Sequence, residues 1–154
     1  MAARIDSGSR LIAAPPSKVY AALIDPTAVA SWLPPSDMTG RILQFEPRPG
    51  GPFRMELTFK DKSHATPGKT SADSDLVEGH FVRLVPDREI VQRFTFRSDD
   101  PAYAGEMTMT WTFAAEANGT RVTVAATDVP AGISPADHQT GLNSSLANLA
   151  AYTE

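Results

Sequence analysis

The sequence contains no cysteine among its 154 residues, and this absence excludes several classes of protein. Without a thiol the chain has no disulfide scaffold, no cysteine-type zinc site, no iron–sulfur cluster and no cysteine nucleophile. A chain of this length buries roughly 68–70% of its unfolded surface, so its side chains alone can supply a core. We therefore expect a single domain over residues 1–154, stabilised by apolar packing.

Long apolar runs and an excess of positive charge are also missing. No uncharged apolar segment approaches the ~18 residues that a membrane span needs, and the opening MAARIDSGSR lacks the apolar centre of a secretory signal. Fourteen Lys and Arg against eighteen Asp and Glu give a net charge of -4, which disfavours binding to nucleic acid or anionic lipid. These features predict a cytoplasmic protein without a membrane span or a nucleic-acid partner. They leave a homodimer possible.

The residues that bind metals or activate nucleophiles are few and scattered. Only three histidines occur, His64, His80 and His138, and no pair of them has the spacing of a metal site on a helix or hairpin. The sequence has no Gly-x-Ser-x-Gly motif, and its carboxylates are dispersed rather than paired. We expect neither a metal nor a cofactor.

Helical periodicity appears near both ends of the chain. A short strand over residues 9–13 precedes a helix that starts at the Pro15-Pro16 pair, and Asp25-Pro26 ends that helix and caps a second short one. The last helix begins at Ser134 as N-cap, and its apolar stripe consists of Leu142, Leu146, Leu149 and Ala150. His138 lies four residues before Leu142 and therefore on the same face of this helix.

Between these helices the apolar residues alternate with polar ones, which is typical of strands with one buried face. The tetrapeptide Arg48-Pro49-Gly50-Gly51 suits a type II turn, and Asn118-Gly119 suits a type I′ hairpin. The predicted order is a strand, two short helices, five or six antiparallel strands and one long C-terminal helix. This is an α+β fold with its helices on one face of the sheet.

Several short motifs stand in a distinctive order along nearly the whole chain. They are Ala14-Pro15 with Val19-Tyr20 and Leu23, Asp25-Pro26 with Trp32, Arg48-Pro49-Gly50-Gly51-Pro52-Phe53, Gly79 with Val85-Pro86, Gly119-Thr120, and His138 with Gly141, Leu146 and Leu149. Their order and spacing resemble the START-like superfamily of helix-grip (Bet v 1-like) folds, and within it the family homologous to the activator of Hsp90 ATPase. One departure is Gly141-Leu142, where the family usually has Gly-Trp, so an aromatic wall is missing or replaced.

The resemblance implies a curved antiparallel sheet that grips the C-terminal helix, with an apolar cavity between them. Relatives hold lipids, hormones or polyketide-like molecules in such cavities. Inward-facing aromatic residues are equally typical of an ordinary core, so both interpretations stay open. The candidate lining residues are Trp32, Phe53, Met55, Phe81, Gln92, Phe94, Met109, Trp111, His138 and Leu142.

Three functions follow from this set. The leading hypothesis is the binding of a small hydrophobic molecule by a carrier, sensor or sequestering protein, in which Gln92 or His138 meets a polar group. The second is a cyclase or hydrolase that uses His138 as general base, with Gln92 or Tyr103 orienting the substrate. The third is a chaperone-associated module, which the family name suggests. The polar loop over residues 61–75 is either a lid or a tether.

Overall fold

The computed structural model describes residues 4–34, 38–60, 74–96, 98 and 100–154. The strands are β1 (Ile5–Ile12), β2 (Met38–Phe45), β3 (Pro52–Phe59), β4 (Ser74–Val85), β5 (Glu89–Phe96), β6 (Met107–Glu116) and β7 (Gly119–Thr127). The helices are α1 (Pro16–Leu23), α2 (Pro26–Trp32) and α3 (Pro135–Thr153), with a 3-10 turn at Pro101–Tyr103. Residues 61–73, which include His64 and most of the predicted loop, lie outside the described residues.

The strands form one antiparallel sheet in the order β1-β7-β6-β5-β4-β3-β2. Strands β2 to β7 follow one another as a meander, and β1 pairs with β7 from the far end of the chain. The sheet curls around α3, and the two short helices follow β1. The predicted α+β order and the helix-grip fold are therefore confirmed, with six strands after the short helices.

Local sequence signals place the helix starts where they were predicted. The Asp25 carboxylate accepts a hydrogen bond of 2.9 Å from the Thr27 amide, and the Ser134 hydroxyl accepts one of 3.1 Å from the Asp137 amide. Each cap is followed by a proline, whose fixed φ suits the first position of a helix. The start of α2 matters most here, because this helix supplies one wall of the site described below.

The two predicted turns have different outcomes. In the first, Gly50 has a φ of 79° and the Gly51 amide donates to the Arg48 carbonyl at 2.7 Å, so the type II turn is confirmed. In the second, Glu116 pairs with Gly119, so the loop residues are 117 and 118, and neither has a positive φ. The type I′ prediction is therefore wrong, although the hairpin exists.

The close approach of neighbouring backbone explains the glycine at the start of β7. Gly119 has a φ of 145°, and an added Cβ there would lie 2.0 Å from the Ile12 carbonyl oxygen. Nearby, the buried Thr120 hydroxyl donates to the Ala14 carbonyl at 2.7 Å. These contacts fix the chain as it leaves β1 and enters α1.

The apolar stripe of α3 packs directly on β1. An added Cβ at Gly8 would lie 3.2 Å from Leu146 Cδ1 and 3.6 Å from Leu142 Cβ, so glycine lets the helix approach the strand closely. Leu142, Leu146 and Leu149 are all buried in this contact region. None of the helices in the described ranges has both the length and the apolar character that crossing a membrane requires.

Candidate functional site

A small cavity lies between the two short helices and the inner face of the sheet. It has a volume of about 40 Å³, enough for a water molecule but far below the ~300–1,000 Å³ of typical ligand pockets. We call it the inner cavity. Its lining residues are Leu23, Val29, Trp32, Leu33, Phe53, Gln92, Phe94, Met109 and Trp111.

Trp32 forms the helical wall of the inner cavity at the end of α2. Its indole N–H donates to the Ala22 carbonyl at 2.9 Å, which ties the ring to α1. The ring also meets Trp111 of β6 edge to face, with centroids 5.7 Å apart and an interplanar angle of 84°. Since its only donor is satisfied, Trp32 presents an apolar surface to the cavity.

Two phenylalanines form the opposite wall. Phe53 and Phe94 lie edge to face with ring centroids 5.3 Å apart. Gly79 of β4 stands opposite Phe94 in the sheet, and an added Cβ at Gly79 would lie 2.9 Å from Phe94 Cδ1. The absence of a side chain at Gly79 therefore makes room for the Phe94 ring.

Gln92 is the polar member of the inner cavity. The alternation of β5 places it on the buried face between Ile90 and Phe94, opposite Met109, and it is only 7% exposed. Its side-chain amide makes no hydrogen bond with any of the described residues. Neither amide atom is among the fully enclosed unpartnered polar atoms of the described residues, so the amide is accessible from the cavity as a donor and an acceptor.

A larger, open groove also has Trp32 among its lining residues. It has a volume of about 580 Å³ and runs between α2, the start of β2, the end of β3 and the C-terminal turns of α3. We call it the outer groove. Its lining residues are Ala30, Ser31, Trp32, Pro34, Met38, Thr39, Gly40, Lys60, Asn148, Ala151 and Tyr152.

His138 lies away from both spaces, at the start of α3. Its Nδ1 donates to Asp6 Oδ2 at 2.6 Å, and the same carboxylate accepts two hydrogen bonds from Arg4, at 2.7 and 3.0 Å. The Arg4 hydrogen bonds, assisted by His138, hold the pKa of Asp6 below its ordinary value although burial opposes this. Within the described ranges, no three His, Asp or Glu residues are grouped to hold a metal ion.

Six of the ten predicted lining residues meet around the inner cavity: Trp32, Phe53, Gln92, Phe94, Met109 and Trp111. The buried Met55, Phe81 and Leu142 do not line it, and the imidazole of His138 contacts Asp6 instead. The cavity lies under α1 and α2 rather than between the sheet and α3, since none of its described lining residues belongs to α3.

Sequence reasoning missed three lining residues and one polar partner. Val29 and Leu33 share the apolar stripe of Trp32, and Leu23 belongs to the stripe of α1, so helical spacing was the available signal. Asp6 had no comparable signal, since its partner is 132 residues away.

A curled antiparallel sheet around a C-terminal helix, with two short helices after the first strand, defines the START-like class of helix-grip proteins. Residues 13–154 match the family model described as Activator of Hsp90 ATPase homolog 1-like protein. The chain belongs to this family.

Solved structures agree with this assignment. A crystal structure of a protein from Chromobacterium violaceum is 31% identical, with a TM-score of 0.85, and the match covers 97% of this chain and 96% of that one. An AHSA1-like protein from Aeromonas hydrophila has 24% identity and a TM-score of 0.71 over 97% of this chain and 91% of that one. A protein of the dynemicin biosynthetic locus shares the fold at 22% identity and a TM-score of 0.69, over 96% of this chain and 46% of its own. No curated protein matches the chain.

Proposed function

We propose that this protein binds a small apolar molecule in the inner cavity and acts as a carrier, sensor or sequestering protein. The observation that carries the proposal is the buried Gln92 amide, which has no partner among the described residues and borders an otherwise apolar space. A side-chain amide offers both a donor and an acceptor, so it can bond a carbonyl, hydroxyl or N–H group. The ligand is therefore an apolar molecule with one such group at its buried end.

Because the inner cavity is smaller than a whole ligand, ligand binding has to enlarge it. At about 40 Å³ it admits only part of a ligand in the form described here. Met109 has a flexible side chain that can repack around a guest, and Leu33 is only partly buried at the end of the seven-residue helix α2. Of the lining residues, these two side chains can change position with the smallest loss of packing energy.

Ligand binding is better supported than catalysis by His138. A general base must reach the proton that it removes, and His138 is not among the described residues that line the inner cavity. A chaperone-associated role rests on the family description alone.

Gln92→Met tests the proposal because it replaces the amide by an apolar chain of similar length. We expect the free energy of unfolding to stay within about 1 kcal/mol of the wild-type value, since no hydrogen bond to a described residue is lost, while ligand binding falls. Urea unfolding measures the first effect. Titration with N-phenyl-1-naphthylamine, a neutral aromatic probe with one N–H, measures the second through quenching of Trp32 and Trp111, the two tryptophans of the chain.

The control is Gln44→Met, because Gln44 is exposed on β2 and is not part of the inner cavity. It should change neither stability nor probe binding appreciably. Native mass spectrometry of gently purified wild-type protein should in addition detect a bound molecule that Gln92→Met loses. A Gln92→Met variant that unfolds more easily than wild type would assign the amide a structural role and remove the basis of the proposal.

A further inference from the structure

The face of the sheet that is turned away from α3 carries an area with little charge. Burial alternates along β7, where Val122, Val124 and Ala126 are buried and the residues between them are half-exposed. Strand pairing aligns these outward residues with those of β5, β6 and β1 in three parallel rows. The rows are Glu89-Thr112-Thr123-Ser9, Val91-Thr110-Ala125-Ser7 and Arg93-Thr108-Thr127-Ile5. We call these twelve residues the outer grid.

The outer grid is accessible and almost uncharged. Ile5 is 63% exposed, and Ser7 and Ser9 are exposed beside it on β1. The two charged residues of the grid, Glu89 and Arg93, both belong to β5, so β6, β7 and β1 contribute only hydroxyl and apolar side chains. A centre depleted of charge, with charged residues at its rim, is typical of protein–protein interfaces.

The positions of the two charges make the outer grid complementary to a second copy of itself. Glu89 and Arg93 stand two residues to either side of Val91, which belongs to the middle row. A two-fold axis along that row places the first row of one copy on the third row of the other. Glu89 then faces Arg93 of the second copy, and Arg93 faces its Glu89. Packed sheets lie about 10 Å apart, a distance that extended Arg and Glu side chains bridge.

The contacts of the two charges within one protomer are compatible with this pairing. Arg93 is exposed on β5. Glu89 Oε1 lies 3.2 Å from Arg83 Nε, and a carboxylate accepts about four hydrogen bonds. The Glu89 carboxylate therefore has acceptor capacity for a second guanidinium.

The same charges disfavour the other two-fold arrangement of the grid. An axis parallel to the strands, between β6 and β7, would place Arg93 on Ile5 of the second copy and Glu89 on its Ser9. Each charge would lose water without meeting an opposite charge, which costs free energy. Charge complementarity therefore selects the axis along the middle row.

We infer that the outer grid is the contact surface of a homodimer whose two-fold axis follows the row Val91-Thr110-Ala125-Ser7. Strands about 4.8 Å apart and alternate residues about 6.7 Å apart give the grid a flat area of about 400 Å² per protomer. Such a contact belongs to the small end of specific interfaces, so the dimer is reversible and forms at high protein concentration. The inner cavity lies on the opposite face of the sheet, where Gln92 and Phe94 point, so dimerisation does not depend on the proposed ligand.

Charge reversal at the two rim positions tests the pairing. Arg93→Glu puts two carboxylates opposite each other at both symmetric contacts, and Glu89→Lys puts two cations there. We expect either variant to weaken the dimer about thirtyfold, the effect of two exposed ion pairs lost at their upper value. An equimolar mixture of the two variants should form a heterodimer, because each contact then joins one carboxylate to one cation.

Sedimentation velocity from micromolar to millimolar protein measures the dimer, and native mass spectrometry of the mixture identifies the heterodimer. Circular dichroism and urea unfolding establish that each variant is folded. The matched control is Arg41→Glu, because the Arg41 side chain is 72% exposed on β2, the strand at the other edge of the sheet. This variant should dimerise like wild type.

Thr110→Lys tests the axis independently of the rim charges. Thr110 lies on the axis and faces Thr110 of the second copy, so two ammonium groups would meet at the centre of the contact. We expect this variant to be monomeric throughout the concentration series. Thr39→Lys, at an exposed position on β2, is its control and should leave the dimer intact.

Each outcome decides the inference. Wild-type protein that stays monomeric throughout the series would overturn it. A dimer that both Arg93→Glu and Thr110→Lys leave intact would overturn it as well, because that dimer uses another surface. Folded Arg93→Glu and Glu89→Lys proteins that form no heterodimer when mixed would show that these two residues do not face each other. A heterodimer from two variants that are each monomeric alone supports the two-fold contact.

Discussion

Gly79→Ala is expected to abolish most of the folded protein. An added Cβ at Gly79 would lie 1.9 Å from the carbonyl oxygen of Arg93 on the neighbouring strand, and backbone atoms there cannot move without breaking the β4–β5 pairing. The expected cost is about 4 kcal/mol or more, which approaches the whole stability of a marginal domain. Soluble yield and urea unfolding followed by circular dichroism measure the effect.

Gly141→Ala is the matched control, because it makes the same chemical change at a position with free space. Gly141 lies inside α3, and an added Cβ there meets nothing within 4 Å. Since alanine is the better helix former, this variant should be more stable by about 0.8 kcal/mol. A Gly79→Ala protein that unfolds at the same urea concentration as Gly141→Ala would contradict the packing described around Phe94.

Asp6→Asn is expected to lower the free energy of unfolding by about 2 kcal/mol at neutral pH. The carboxylate is 8% exposed and accepts hydrogen bonds from His138 and Arg4, and hydrogen bonds to charged groups contribute about 1.5–3 kcal/mol. The pKa of Asp6 is lower in the folded protein than its ordinary 3.8. The stabilisation is therefore fully present above pH of about 4 and is lost as the pH falls through the lowered folded-state pKa.

Urea unfolding of wild type and Asp6→Asn at neutral pH and at successively lower pH measures this dependence. The stability difference between the two proteins should shrink on acidification. Asp128→Asn is the control, since Asp128 is exposed and has a φ of 58°, a conformation that asparagine adopts readily. A difference between wild type and Asp6→Asn that stays constant with pH would show that the ionisation of Asp6 does not contribute.

The sequence predicted those features whose causes lie within a few residues of one another. Asp25 and Ser134 cap their helices through hydrogen bonds that span two and three residues. Gln92 was placed on a buried face by the alternation of β5 alone. In each case the local pattern carries the physical cause, so it can be recognised without knowledge of the fold.

Other features depend on contacts between distant segments. The hydrogen bond between Asp6 and His138 joins residues 132 positions apart, so the sequence around either residue does not indicate its partner. The location and the volume of the cavity depend on the packing of side chains from five elements, α1, α2, β3, β5 and β6. Such properties come from the sum of many packing contacts, which local spacing does not encode.

The pairing of β1 with β7 also determines when parts of the chain can fold. All other neighbouring strands are consecutive in sequence, so the hairpins from β2 to β7 can form from local contacts, whereas β1 must wait for the last strand of the sheet. Helix α3 packs on β1, and the Ala13 amide donates to the Glu154 side chain at 3.0 Å, so both depend on that late step. During translation β1 therefore lacks its partner until every other strand of the sheet has been made, which exposes it to mispairing before the fold closes.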